Sequence, residues 1–130
     1  GHSHVPQPMG FRTITDPDGS THQGFVSYSL GNFISGQYFE LTDTTAVLTL
    51  ELTKDQKTGV AEVTGYAYAP MLMLNRGAGT PRFQLLDAHN ALAAGGLSAT
   101  LEKRLQKAID DCHTIFGPER DTAGQIPFVN

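Results

Sequence analysis

Residues 44–55, TTAVLTLELTKD, decide the fold. Leu48, Leu50 and Leu52 alternate with Val47, Thr49 and Glu51, the period-two pattern of a half-buried strand. KDQKTG (54–59) is a polar turn, and VAEVTGYAYAP (60–70) is the returning strand, stopped by Pro70. Beyond it, MLMLNR (71–76) is apolar on both faces and reads as a buried strand or a strand extension after the proline. GAGTP (77–81) is a loop, and RFQLLDA (82–88) is short enough for a strand or a helix entry.

Upstream, GFRTIT (10–15), DPDG (16–19) and HQGFVSYSL (22–30) form a second strand–turn–strand unit. GNFISGQYFE (31–40) leads out of it as a loop. The pattern changes after residue 96. In 97–117, Leu101, Leu105, Ala108, Ile109 and Cys112 share one helical face. Ser98 or Thr100 caps its start, and Gly117-Pro118 ends it. The reading is one α+β domain, mostly antiparallel sheet, with a β-rich region 1–96, a C-terminal helix 97–117 and an irregular tail 118–130.

With 130 residues, 39% hydrophobic and 17% charged, the chain can fill one modest core. A net charge of -4 with only 9 Lys+Arg and no basic stripe argues against nucleic acid as a partner. A single cysteine excludes an internal disulfide. No segment approaches the roughly 18 apolar residues of a membrane span, and no secretory signal pattern is visible.

Chemistry is sparse. There is no G-x-S-x-G elbow, phosphate-binding glycine loop or C-x-x-C pair. Cys112 lies on the apolar helix face and reads as core. Asp16, Asp18 and Asp43 are turn residues, and Glu102, Gln106, Lys107, Asp110 and Asp111 form a solvated helix face. His22 and His89 read as solvated, and His113 as a partner for the helix C-terminal dipole. In GHSHVPQP (1–8), His2 and His4 project to one side of an extended backbone, where neutral imidazoles suit Zn, Mn, Fe or Ni. A solvated tail or an expression scar would explain the same letters. Two ligands do not complete a site, since a catalytic zinc takes about three.

GHSHVPQP and VSYSLGNFISGQ (26–37) together resemble the C-terminal portion of the CapA family, bacterial capsule or poly-γ-glutamate synthesis proteins of the metallophosphoesterase superfamily. His2, His4, Val5, Gln7 and Pro8 match a G-H-x-H-V-x-Q-P element, and Tyr28 through Phe33 match Y-S-L-G-N-F. Ser3 stands where the family commonly has Pro, and Pro6 where it has an aliphatic residue. The resemblance covers about residues 1 to 85. It implies the C-terminal part of an α/β/β/α sandwich whose metal loop contributes His2 and His4. Gln7 and Asn32 would lie beside those ligands, although the Gly-Asn context of Asn32 equally suits a plain turn. One or two divalent transition ions (Mn, Fe or Zn) would activate water for phosphoester hydrolysis.

The superfamily's other ligands lie upstream, so the chain is expected to be part of a longer protein and inactive alone. It would pair with the N-terminal half of that protein, or self-associate through an exposed sheet. The implied substrate is an anionic polymer or phosphoester. The implied location is the bacterial cell envelope, membrane-anchored or extracellular. The competing reading is a non-enzymatic β-rich accessory module that binds cell-surface polymer or partner proteins.

Overall fold

Period-two alternation yields strands, and turn chemistry sets their register. The computed structural model describes residues 2–37 and 39–125. Gly1 of the first motif and residues 126–130 of the tail lie outside the described residues. β1 (Pro6–Thr15) pairs antiparallel with β2 (Thr21–Leu30), from Pro6↔Leu30 to Thr15↔Thr21. Their turn closes because Gly19 adopts φ +87° and donates its N–H to the Asp16 carbonyl at 2.9 Å. Asp18 Oδ1 then accepts from the Ser20 N–H and hydroxyl, which lowers the pKa of its carboxyl.

A second sheet has the order β3-β4-β5, all antiparallel: β3 (Thr44–Lys54), β4 (Ala61–Asn75) and β5 (Phe83–Asp87). Asp55 organises the β3–β4 turn by accepting the Lys57 and Thr58 N–H groups. Among the described residues, one isolated bridge, Gly31↔Thr45, links the two sheets. Two helices follow, α1 (Ala88–Ala94) and α2 (Ala99–Phe116), then a 3-10 turn at Pro118–Arg120. The architecture is α+β with two antiparallel sheets and a C-terminal helix, as the patterning implies. Of the two candidate caps, Ser98 starts α2, its hydroxyl accepting from the Leu101 N–H. None of the described helices is long and apolar enough to cross a membrane.

α2 buries its apolar face in two adjoining clusters. Cys112 and Phe116 join Met9, Ala46, Tyr66 and Tyr68, while Leu105, Ala108 and Ile109 join Leu72 and Ala88. Phe11, Phe25 and Tyr66 stack edge-on or tilted at ring separations of 4.8–5.8 Å, which ties the first hairpin to the second sheet. Cys112 is fully buried against the Thr45 carbonyl, and burial, with the nearby Asp111 and Asp121 charges, pushes its thiol up to about 12.

Three local readings change. Pro70 does not stop its strand: β4 runs through it and is fully buried there. The β5 ladder begins only at Met71↔Asp87, so at Pro70 the strand is locally an edge, where sheets tolerate proline. Leu50 and Leu52 are exposed, Leu52 by 69%, because the buried end of β3 is Thr44–Ala46 and α2 does not reach the far end of the hairpin. The region before residue 96 also contains α1, and the described part of the tail is ordered by a 3-10 turn and a parallel bridge from Asp121 to Tyr68.

These burials set stability. Leu105→Ala should cost about 2–5 kcal/mol in urea unfolding, whereas Leu52→Ala should stay within about 0.5 kcal/mol. Cys112 should resist alkylation in the native protein and react on unfolding. Because folding favours its neutral thiol, that contribution is complete below the ordinary value of 9.0 and is lost as pH rises toward about 12. Cys112→Ala should therefore flatten the alkaline limb of the stability profile.

Candidate metal centre

The β1–β2 register carries the chain from His2 and His4 back to Leu30, Gly31 and Asn32, so the two sequence motifs meet. His4 Nδ1 lies 2.8 Å from Asn32 Oδ1 across 28 positions of sequence. The Asn32 amide is oriented unambiguously, because its Nδ2 donates to the Thr42 carbonyl at 3.2 Å and to Gln37 Oε1 at 3.0 Å. Its Oδ1 can only accept, so His4 Nδ1 carries a hydrogen, and in the neutral imidazole Nε2 keeps its lone pair. A hydrogen bond on one ring nitrogen that frees the other is how protein frameworks present a metal-binding histidine.

The backbone adds to that picture. His4 sits at φ +58°, a left-handed conformation costing a non-glycine residue about 1 kcal/mol or more and concentrated at functional sites. Gly31, at φ +89°, is required: a Cβ there would lie 2.7 Å from the Thr44 carbonyl and 3.1 Å from Pro6. The glycine thus lets β2 cross to β3 immediately beside the histidine loop. Asn32 itself is buried, while His2 and His4 are exposed.

The His2 and His4 ring centroids are 6.5 Å apart and tilted by 50°. With metal–nitrogen bonds of about 2.0–2.1 Å, that spacing suits two neighbouring ions or one ion after a small approach of the rings. The donor set fits a divalent transition metal but supplies only two ligands. Gln7 lies on β1 opposite Ser29, with its side chain exposed, and it is Gln37 that contacts Asn32. Gln37 and Thr42 also line a cavity of about 260 Å³ with Phe39, Asp43, Met73 and Arg104, in which Arg104 pairs with Asp43 at 2.8 Å.

A second group gathers residues that the sequence treats separately. His89, near the start of α1, and His113, in the last turn of α2, both place Nε2 on Asp121 Oδ2, at 2.7 and 2.6 Å. Asp121 Oδ1 accepts the Ala123 N–H at 2.8 Å. Burial pushes the Asp121 carboxyl upward, but the hydrogen bonds from Ala123, His113 and His89 outweigh it and hold the pKa below the usual value. His113 is therefore not simply a cation at a helix end, and His89 is not solvated. Asp121 arrives from a segment with no periodicity, so no pattern in the sequence connects it to either ring. His22 is exposed and pairs with Asp16 in the hairpin turn.

Asn32→Ala should shift the His4 ring away from the Nδ1–H tautomer, read by imidazole nitrogen NMR shifts. It should also cost about 1–3 kcal/mol by leaving the buried Thr42 carbonyl without its donor. Gly31→Ala should destabilise by more than about 1 kcal/mol, since both its φ and its contacts exclude a side chain.

Compared with known proteins, the chain matches no family model, no curated protein and no solved structure.

Proposed function

We propose that this chain supplies the His-x-His metal loop of a CapA-like, metal-dependent phosphoesterase connected with capsule or poly-γ-glutamate synthesis. The observation that carries the reading is the His4 Nδ1 to Asn32 Oδ1 hydrogen bond of 2.8 Å, which joins the two motifs and leaves His4 Nε2 as a ligand atom. His2 and His4 are the ligands, and Asn32, braced by Thr42 and Gln37, holds the His4 ring in position. A bound divalent ion would lower the pKa of its water and stabilise charge on a phosphoryl oxygen. The remaining ligands are assigned to other parts of the same protein, so the chain alone is inactive.

The surface beside the loop fits that assignment. Tyr28, Phe33, Ile34 and Phe39 are 57–77% exposed on either side of Asn32. We assign this apolar surface to packing against the upstream half of the protein at the cell envelope. The same surface favours the second reading, an accessory module that uses exposed aromatic groups to bind polymer or a partner protein.

The complete protein that carries this chain should contain transition metal and hydrolyse a generic phosphoester. His2→Ala combined with His4→Ala should lower turnover at least 100-fold and reduce the metal content. A complete protein free of metal and without turnover would leave the accessory-module reading standing. Turnover by the isolated 130 residues would contradict the assignment of ligands to another segment.

A further inference from the structure

We propose that His89, His113 and Asp121 form a second metal site, separate from the histidine loop, that binds a divalent transition ion such as zinc. Their ligand atoms all lie within 4.8 Å of one another. Two imidazole nitrogens and one carboxylate oxygen are a three-ligand set of the kind that zinc takes with one coordination position open. Nitrogen and oxygen donors of this type also suit cobalt and iron.

The carboxylate is held by contacts that do not involve the rings. The Thr122 N–H donates to the Tyr68 carbonyl at 2.9 Å, the Asp121 N–H to the Pro118 carbonyl at 3.2 Å, and Asn90 Nδ2 to the Gly124 carbonyl at 3.2 Å. Gly124 adopts φ +83°, and a Cβ there would meet Asn90 Oδ1 at 2.8 Å and His89 Cβ at 3.3 Å. The segment therefore seats closely on the first turn of α1. The Ala123 N–H on Oδ1 orients the carboxylate and leaves Oδ2 facing the rings, an arrangement typical of a supported metal ligand.

The rings are the movable part. The Asp121 side chain is 5% exposed, against 24% for His89 and 34% for His113. Around a tetrahedral ion with bonds of about 2.0–2.1 Å, ligand atoms sit about 3.3 Å apart. Each Nε2 must therefore move about 0.6 Å or a little more from Oδ2, a small swing for a partly exposed ring. Each neutral imidazole then carries its hydrogen on Nδ1 instead of Nε2. An ion at this point would join α1, α2 and the segment after α2, three consecutive elements that converge on one point.

The test is cobalt(II) and zinc(II) titration of the full chain, with visible absorption reporting the coordination of cobalt. One ion per chain should bind with tetrahedral cobalt bands, and zinc should displace it and raise the melting temperature. His2→Ala/His4→Ala should leave that binding unchanged, which separates this site from the proposed loop. His89→Gln and His113→Gln retain an amide that can still donate to Asp121. Each should keep the native circular dichroism yet weaken cobalt binding at least tenfold. Binding that disappears only with His2 and His4 would overturn the proposal, as would no cobalt bands at millimolar metal. If both glutamine variants bind as tightly as wild type, the cluster is only a hydrogen-bonded latch.

Discussion

Tyr68 is the residue through which the parts of this structure reach one another. It is fully buried in the middle of β4, where its ring packs edge-on against Phe116 of α2 at 5.1 Å. Its hydroxyl donates to the Gly117 carbonyl at 2.7 Å, and its own carbonyl accepts the Thr122 N–H. One residue thus fixes the helix on the sheet and the end of that helix with its side chain, and the return of the chain past it with its carbonyl. Burial and the Asp121 charge both push its phenol pKa up, so it stays a neutral donor. This anchoring, together with the seating of Gly124 against Asn90 and His89, places Asp121 between the two histidines.

The histidine loop depends on a different constraint, the register of the first hairpin. Ten-residue strands joined by a tight turn return the chain to its starting level, so His4 and Asn32 meet despite their separation in sequence. A slip of one residue would turn every side chain of a strand to the opposite face. The alternative is blocked by the Asp16–Ser20 turn geometry at one end and by Gly31 at the other. Gly31 closes the hairpin against Thr44 without room for a Cβ, and Thr45 hydroxyl donates to the Leu30 carbonyl at 2.7 Å. The loop is therefore positioned by the backbone of both sheets.

Strand positions, turns and the amphipathic helix were legible because each is a local pattern. The α+β class, a cap at Ser98 or Thr100 and the core role of Cys112 follow from periods and turn residues within a dozen positions. The run through Pro70 was not legible, since tolerance of a proline depends on where the neighbouring strand ends. The same holds for Leu52, whose alternation is indistinguishable from that of a covered strand until the reach of α2 is known. At the loop, His2, His4 and Asn32 stand out as motif residues. Gln37 and Thr42, which brace Asn32, carry no signal of their own. The meeting of His89, His113 and Asp121 depends on the packing of three elements and has no sequence spacing at all.

The two proposed metal sites differ in a way that bears on any measurement of metal in this chain. His2 and His4 offer two neutral nitrogen donors on an exposed loop, so a divalent ion there would keep its full charge and most of its water. His89, His113 and Asp121 offer three donors, one of them an anion in a largely buried position that cannot be neutralised by solvent as readily. Charge compensation and donor number both favour the second set, and its carboxylate is already oriented. In the chain by itself, the cluster near the C-terminus should therefore fill before the loop. Metal found in the isolated chain is then no evidence for the loop, and loop occupancy has to be read from the effect of His2 and His4 alone. The phosphoesterase reading and the second site are thus independent, because the first needs ligands from another segment and the second needs only residues of this one.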